Sequence, residues 1–125
     1  MKKLTMSNED YLEAIIILEK EGNVKLTKIA EMLKVSKPAA NKAMNLLEEK
    51  GFITKETYGN IILTEKGKEA GNKIYKKHLN IKNFLTSLGV KEETAEIDSC
   101  KIEHVISEET FQSILKYLEK NKEDN

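Results

Sequence analysis

Two adjacent runs set the architecture: SKPAANKAMNLLEEKG, from Ser36 to Gly51, and FITKETYGNIILT, from Phe52 to Thr64. The first run has a serine that can cap a helix, a proline in the first helical turn and a glycine just past the helix end. The second run consists of two short strand-like stretches around a Gly-Asn turn, which is typical of a β-hairpin. The period of the apolar residues therefore changes from that of a helix to that of a strand at Gly51.

The segments on either side of these runs show the spacing of apolar residues that is typical of helices. Ser7 can cap the first of them, and Thr64 can cap a long helix that ends at Gly89. Three helices, a hairpin and a long helix in this order predict a winged helix-turn-helix over residues 1–73, followed by an α-helical domain over residues 74–125. Besides the helix after Ser36, the predicted helices cover about residues 8–21, 27–34, 65–88, 92–105 and 108–119.

The length and composition of the chain exclude several classes of protein. With 125 residues, of which 39% are hydrophobic, the chain is long enough to bury a core without disulfide staples. Its longest apolar block, AIIIL at Ala14–Leu18, is far shorter than a membrane span, and we expect no signal peptide at its start. The single cysteine excludes an internal disulfide framework and fits a reducing compartment, so we expect a cytoplasmic protein with no membrane partner.

The net charge is zero, but the charges are unevenly distributed along the chain. Residues 23–77 contain 12 lysines and 6 acidic residues, whereas residues 91–125 contain 5 lysines and 10 acidic residues. This pattern favours a basic segment that faces a polyanion, although solvated helix faces of unequal charge would give the same counts. All 21 basic residues are lysines, so the chain has no guanidinium fork for guanine or phosphate.

The polyanion that a winged helix-turn-helix typically binds is double-stranded DNA. In a helix-turn-helix, the second helix of the pair enters the major groove, and the residues at its N-terminus face the base edges. In this chain that helix is the one that starts at Ser36. Here small residues allow close approach, Asn41 can pair with adenine, and Lys37 and Lys42 can reach phosphates or guanine acceptors. A protein-interaction module of the same architecture is the competing interpretation. The predicted DNA-contacting residues are Lys25, Lys28, Ser36, Lys37, Pro38, Ala39, Asn41, Lys42 and, at the hairpin tip, Tyr58.

A second set of polar residues has the chemistry of metal ligands. Cys100, Glu103 and His104 are spaced i, i+3 and i+4, so on a helix they share one face. Imidazole, thiolate and carboxylate donors together suit a first-row transition metal, and the carboxylates favour Mn²⁺ or Fe²⁺. The paired cysteines and histidines of a structural zinc site are absent from the sequence. The candidate ligands are Asp10 and Glu13 on the first predicted helix, His78 on the long helix, and Cys100, Glu103 and His104 on the fifth.

Each candidate ligand also has an ordinary structural interpretation. Cys100 alone is more often a small buried hydrophobic residue, and Asp10 alone can be an acid in a first helical turn. His78 can simply flank a basic helix. The metal hypothesis therefore depends on the joint occurrence of these residues next to a winged helix.

The same residues carry a resemblance to a known family. MSNEDYLEAIIIL (Met6–Leu18), the segment from LTEKGKEAG to KKHLNIKNFL (Leu63–Leu85) and above all DSCKIEHVIS (Asp98–Ser107) are similar to the diphtheria-toxin-repressor family of metal-dependent repressors. The resemblance covers about residues 6–120 and implies a mostly α homodimer, with a winged helix-turn-helix DNA-binding domain and a helical dimerisation and metal-binding domain. It also implies that a bound divalent metal makes the protein grip operators upstream of metal-uptake genes. The implied ligands are Asp10, Glu13, His78, Cys100, Glu103 and His104, and the implied base-facing positions are Ser36, Pro38 and Lys42.

The sequence departs from both main branches of that family. Asp10 and Glu13 resemble the manganese-responsive branch, which usually carries glutamate where this chain has Cys100. The iron-responsive branch usually has methionine at the position of Asp10, a carboxylate at that of Lys82, and a third domain for which 125 residues leave no room. We therefore expect Fe²⁺ or Mn²⁺ as the cofactor, at one or two ions per subunit.

The hypothesis that follows is a metal-dependent repressor rather than an enzyme. Metal bound by the first helix and by the later helices would set the angle between the two halves, and hence the spacing of two recognition helices on a two-fold symmetric operator. The candidates for the dimer face, or alternatively for the core of the subunit, are Ile97, Val105, Phe111, Ile114 and Leu118.

Two alternatives remain open at the level of sequence. A winged-helix regulator could sense redox state through Cys100, with His104 favouring its thiolate and Glu103 opposing it. A small metalloenzyme could use Glu103 or His104 as a general base. The chain has no motif such as H-E-x-x-H, however, and a site filled by ligands from three helices would leave little room for a substrate.

Overall fold

In the computed structural model of the protein, residues 7–123 are described. Over this range the chain forms six α-helices and one two-stranded antiparallel sheet. This architecture confirms the predicted fold class, a mostly α winged helix-turn-helix followed by further helices. The elements are α1 (Asn8–Glu19), α2 (Leu26–Leu33), α3 (Lys37–Glu49), β1 (Ile53–Lys55), β2 (Ile61–Leu63), α4 (Glu65–Ser87), α5 (Glu92–Ile102) and α6 (Glu108–Glu123).

The chain divides into two compact units, with the boundary between Lys73 and Ile74 inside α4. The first unit contains α1 to α3, the sheet and the beginning of α4. The second contains the rest of α4 together with α5 and α6. No helix among residues 7–123 combines the length and the apolar character needed to cross a membrane.

The core of the first unit forms where α1, α2 and α3 pack against one another. Ile15 of α1, Ile29 of α2 and Met44 of α3 are completely buried there. α3 also packs against β1, the first strand of the hairpin. Because each helix gives its apolar stripe to this core, the polar stripe of α3 stays exposed.

The helix caps predicted at Ser7 and Ser36 are present. Oγ of Ser36 accepts a hydrogen bond from the N–H of Ala39 at 3.2 Å, at the start of α3. Oγ of Ser7 accepts from the N–H of Asp10 at 3.2 Å, and the Asp10 carboxylate accepts from the N–H of Ser7 at 3.1 Å. This reciprocal capping box fixes the first turn of α1.

The hairpin contributes one face to the core. Ile53 of β1 lies opposite Leu63 of β2, and both side chains are buried. The next pair, Thr54 and Ile62, is exposed. This alternation follows from the period of two along a strand.

The tip of the hairpin is a three-residue 3₁₀ turn over Thr57–Gly59 instead of the predicted Gly-Asn turn. Tyr58 has a φ of 68° and Gly59 a φ of 78°. A left-handed conformation is unusual for an aromatic residue and costs free energy. Nζ of Lys25 donates to the carbonyl oxygen of Tyr58 at 2.6 Å, which helps to hold the turn.

α5 ends at Ile102, three residues before its predicted end. The N–H of Glu103 still bonds to the carbonyl of Ser99 at 3.0 Å, but the N–H of His104 bonds to that of Lys101 at 3.4 Å. A tightened last turn of this kind is common at helix ends. Glu103 is thus the C-cap residue and His104 lies in the turn that follows, so the prediction that both lie inside the fifth helix is wrong.

The apolar residues predicted for either a dimer face or the core differ in exposure. Ile114 is buried, whereas Ile97 is 59% and Val105 82% exposed. Phe111 and Leu118 are half-buried. Ile114 therefore belongs to the core of the subunit, and Ile97 and Val105 remain exposed for a contact with another chain.

Candidate metal centre and nucleic-acid interface

Three of the predicted ligands meet in the second unit. α4 carries His78, α5 carries Cys100, and Glu103 follows at the C-terminal end of α5. Nδ1 of His78 lies 3.8 Å from Sγ of Cys100 and 3.6 Å from Oε2 of Glu103. One donor atom of each residue lies within 4.8 Å of the others. A nitrogen, a sulfur and an oxygen therefore surround one point.

Glu103 is shielded from solvent, with only 3% of its surface exposed. Among the described residues, neither of its carboxylate oxygens has a hydrogen-bond partner. Nδ1 of His78 and Nε2 of His104 each lie 3.6 Å from one of these oxygens, which exceeds hydrogen-bond length. A buried carboxylate normally accepts hydrogen bonds or binds a cation, so these oxygens fit a metal ion.

The donor set of this cluster also fits a first-row divalent metal. Imidazole and thiolate are the softer donors, and the carboxylate is the hard one. Cys100 is half-buried and is the only cysteine of the chain, so no internal disulfide competes for its sulfur.

A further carboxylate faces the other side of the His78 ring. Nε2 of His78 lies 2.8 Å from Oε2 of Glu96, and Nζ of Lys82 lies 3.0 Å from Oε1 of Glu96 and 3.4 Å from Glu92. Partial burial alone would raise the pKa of the Glu96 carboxyl, but hydrogen bonds and charges from His78 and Lys82 outweigh burial and hold this pKa below its ordinary value. The hydrogen bond with Glu96 in turn raises the pKa of Lys82. Glu96 is therefore an ionised carboxylate between two nitrogen donors.

The two predicted ligands of the first unit lie on α1. Asp10 accepts hydrogen bonds from the N–H of Ser7 at 3.1 Å and from its hydroxyl at 2.9 Å, so its carboxylate belongs to the helix cap. A carboxylate has about four lone-pair sites, which leaves capacity for a further partner. Glu13 lies one turn later and is buried, whereas most glutamates are exposed.

The N-terminal end of α3 is an exposed surface that carries lysines. Ala40 is completely buried and anchors this end of the helix in the core. Asn41 and Lys42, the next two residues, are exposed. The other residues predicted to contact DNA on this part of the unit are exposed as well: Lys28, Ser36, Lys37, Pro38 and Ala39.

The two remaining DNA candidates lie at the wing and differ in their surroundings. Tyr58 is 88% exposed. Lys25 is half-buried, its backbone forms a bridge with Asn60, and its ammonium donates to the Tyr58 carbonyl. Lys25 therefore supports the wing tip, a role that the sequence does not indicate.

Both parts of the chain match known domains. Residues 3–61 match the iron-dependent repressor N-terminal DNA-binding domain, and residues 64–125 match the iron-dependent repressor metal-binding and dimerisation domain. The HTH-type transcriptional regulator MntR of Bacillus subtilis is 32% identical over 122 residues, which cover 97% of this chain and 86% of MntR. The chain belongs to the diphtheria-toxin-repressor family of metal-dependent regulators.

Other known proteins are similar along most of this chain. An HTH-type transcriptional regulator of Methanocaldococcus jannaschii is 39% identical over 123 residues, which cover 96% of this chain and 98% of that protein. Among solved structures, the manganese regulator SloR is 28% identical, with a TM-score of 0.81 over 93% of this chain. The match covers 55% of the SloR chain, so this chain spans about half the length of that relative.

Membership in the diphtheria-toxin-repressor family confirms the resemblance seen in the sequence and the class of function, metal-dependent DNA-binding transcriptional regulation. The matched domains indicate DNA and a second subunit as partners. Proteins of this family are transcriptional regulators, and the family implies a divalent metal: SloR is a manganese regulator, and ScaR has been solved with bound Zn²⁺.

Sequence reasoning does not find Glu96 as a site residue, and it finds Lys82 only as a departure from the iron-responsive branch. Glu96 precedes Cys100 by one helical turn, and its carboxylate lies 3.9 Å from Sγ. This i, i+4 spacing is a signal that could have indicated it. If the position of the His78 ring is unknown, however, Glu96 and Lys82 have the pattern of ordinary charged side chains on a helix surface.

Proposed function

We propose that this protein is a repressor of metal-uptake genes that depends on Fe²⁺ or Mn²⁺, at one or two ions per subunit. The observation that carries the proposal is the buried Glu103 carboxylate, which has no hydrogen-bond partner among the described residues and lies beside His78 and Cys100. A buried carboxylate in this state costs stability unless a cation binds it. In a member of a metal-dependent family, this geometry supports a metal site.

The ligand set extends beyond the cluster of the second unit. Asp10 and Glu13 are included because of their i, i+3 spacing on α1 and because the family resemblance implies them. A bound divalent cation would add positive charge beside the carboxylates of this set. The proposed ligands are Asp10, Glu13, His78, Cys100, Glu103 and His104.

Cys100 bears on the identity of the metal. A thiolate is a softer donor than the glutamate that is usual in the manganese-responsive branch, and it favours Fe²⁺ over Mn²⁺ to a small degree. Among the relatives, SloR is a manganese regulator, and ScaR has been solved with bound Zn²⁺. We therefore propose either Fe²⁺ or Mn²⁺ as the metal. We also propose a cytoplasmic location, because the cytoplasm keeps a thiol reduced.

The proposed target is a two-fold symmetric operator, bound by a homodimer. Two recognition helices must lie about 34 Å apart, one turn of DNA, to reach equivalent half-sites. At each half-site Asn41 can pair with adenine, and Lys42 can reach a phosphate or guanine. Because the chain has no arginine, specificity rests on Asn41, on apolar contacts and on DNA shape.

Metal binding and operator binding are linked equilibria in this proposal. Metal favours the conformation that binds DNA, so operator DNA must tighten metal binding by the same factor as metal tightens DNA binding. Coupling of about 1–3 kcal/mol, or roughly 5–150-fold, is typical of such linkage.

The decisive experiment is a titration of operator-length DNA under anaerobic conditions, in separate series with Mn²⁺, Fe²⁺, Zn²⁺ and Co²⁺. The proposal predicts that Fe²⁺ or Mn²⁺ increases affinity by at least about 5-fold. A DNA affinity that does not change with any of the four ions would contradict the proposal. Release of DNA by peroxide in metal-free buffer would instead support redox sensing through Cys100.

Two variants can distinguish the role of Asp10 as a metal ligand from its role in the cap of α1. We expect Asp10→Asn to lower metal affinity by about 10-fold or more, while its amide oxygen keeps the hydrogen bond from Ser7. We expect Ser7→Ala to cost about 1 kcal/mol of stability with little change in metal affinity, because it removes the cap and keeps the carboxylate. Calorimetric metal titration and denaturant unfolding of the metal-free protein measure the two effects. Equal metal affinities for the two variants would show that Asp10 is a capping residue only.

A further inference from the structure

The two ring nitrogens of His78 face two different carboxylates. Nε2 lies 2.8 Å from Oε2 of Glu96, and Nδ1 lies 3.6 Å from Oε2 of Glu103. Nδ1 is also the nitrogen that faces Sγ of Cys100, at 3.8 Å. His78 itself is 3% exposed, so water does not compete freely for either nitrogen. In the neutral form of the ring, which carries one proton, the position of that proton therefore depends on these neighbours.

The distances favour one tautomer of the neutral imidazole. An ionised carboxylate can only accept, so the short contact with Glu96 requires a proton on Nε2. In the neutral ring, Nδ1 then carries no proton and faces Cys100 and Glu103. The Ser99 hydroxyl lies 3.3 Å from Nδ1 and donates to the backbone carbonyl of Glu96 at 3.0 Å.

Glu96 is itself held in place. Its side chain is 48% exposed, and a carboxylate so exposed usually samples several rotamers. Here Nζ of Lys82, one turn after His78 on α4, lies 3.0 Å from Oε1, while Oε2 faces His78. The two oxygens of Glu96 thus contact two side chains of the same helix, which fixes the carboxylate against the ring.

We propose that Glu96, held by Lys82, is a positioning residue that keeps the proton of His78 on Nε2 and so presents Nδ1 as a metal ligand. The proposal rests on the proposed metal-dependent function and adds to it a group that does not touch the metal. A ligating histidine commonly donates its other N–H to a carboxylate, which sets its tautomer and increases its basicity. Glu96 has this relation to His78.

The effect of removing Glu96 follows from the competition between the two carboxylates. Without Glu96, the ionised acceptor nearest to the ring is the buried Glu103, on the Nδ1 side. The ring proton is then expected on Nδ1, and the lone pair on Nε2 points away from Cys100. The cluster loses its nitrogen donor although no ligand has been mutated.

The first test measures the tautomer in the metal-free protein. The chain has only His78 and His104, so ¹⁵N-histidine labelling gives two sets of ring signals, which a His104→Asn variant assigns. The spectra are recorded above the pH at which an ordinary imidazole titrates. We expect the proton on Nε2 of His78 in the wild type and in Glu96→Gln, whose amide oxygen can still accept, and on Nδ1 in Glu96→Ala. The same tautomer in the wild type and in Glu96→Ala would overturn the proposal.

The second test measures metal affinity by competition with a chelator under anaerobic conditions, using Mn²⁺ and Fe²⁺ separately. We expect Glu96→Ala to weaken binding by about 10–100-fold and Glu96→Gln by less, because the amide restores the acceptor. Asp98→Asn is the matched control: it removes a negative charge from an exposed position of the same helix, closer in sequence to Cys100, and should change affinity less than about 3-fold. Lys82→Met, which releases Glu96 without removing it, should give a smaller loss than Glu96→Ala.

Equal losses of metal affinity in Glu96→Ala and Asp98→Asn would show that only the loss of a negative charge matters. That result would contradict a positioning role for Glu96. Failure of the wild type to bind either metal would contradict the proposed function, whereas the tautomer measurement would still decide whether Glu96 controls the ring. Circular dichroism of each variant checks that α5 is intact. The two hypotheses can therefore fail separately.

Discussion

Replacing Glu103 with methionine should abolish the metal response without destabilising the metal-free protein. Glu103→Met keeps the length of the side chain and removes a buried carboxylate whose oxygens lack hydrogen-bond partners among the described residues. Exchange of a poorly paired buried charge for an apolar group is often neutral or stabilising. Metal affinity should fall by more than about 100-fold, since losses of roughly 10–100-fold are already typical of groups that only orient a ligand.

Thermal unfolding with and without metal measures both effects of Glu103→Met. At a metal concentration 100 times the dissociation constant, the wild type should gain about 2.7 kcal/mol, on the order of 10 °C in Tm. The variant should show no such gain, and its Tm in chelator should equal or exceed that of the wild type. Glu119→Met, an exposed carboxylate on α6, is the control and should retain the full metal response. A metal-induced rise that survives in Glu103→Met would remove Glu103 from the ligand set.

The second large effect is expected from Gly67→Ala, near the start of α4. In an ordinary helix interior, alanine in place of glycine stabilises by roughly 0.5–1 kcal/mol. Here a Cβ at position 67 would lie far inside contact distance of the Phe52 carbonyl oxygen and 3.0 Å from Cδ2 of Leu63. That carbonyl also accepts the N–H of Thr64 at 3.0 Å, so its displacement would break a hydrogen bond between the residue before β1 and the residue after β2. We expect a loss of about 2–4 kcal/mol.

Denaturant unfolding of Gly67→Ala gives the sign and size of this effect. Gly71→Ala is the informative comparison, because a Cβ there would meet Ile16 Cγ1 at 2.6 Å, and a side chain can shift more easily than a backbone carbonyl. Its loss should therefore be smaller. Asn72→Ala, at an exposed position of the same helix, should be close to neutral. A stabilised Gly67→Ala protein would show that α4 and Phe52 are not in the close contact described.

The parts of the fold that follow from local interactions are predictable from the sequence. Ser36 with Pro38 marks the start of α3, and Ser7 marks that of α1, because a cap bonds to a backbone group only a few residues away. The change of apolar period at Gly51 likewise predicts a helix followed by a hairpin. The spacing of Cys100 and Glu103 places two ligand types one turn apart for the same reason.

Other features depend on residues that are distant in sequence. His78 is 22 residues from Cys100, and its Nδ1 meets Sγ only through the packed positions of α4 and α5. The same packing places Glu96 against Nε2 and so distinguishes it from Asp98, although both are exposed acids of one helix. The need for glycine at position 67, which lies against the carbonyl of Phe52, is of the same kind.

The physical reason is the range of the forces involved. Caps, turns and apolar periodicity act within about four residues, so a sequence pattern specifies them almost completely. The protonation, burial and partners of a carboxylate depend on which groups surround it in space, and neighbouring residues do not specify these. The residue types and their helical faces could therefore be assigned from the chain alone. The packing of the helices in the second unit was needed to show that Glu103 is buried without hydrogen-bond partners among the described residues. It was also needed to show that Glu96 contacts the ring of His78.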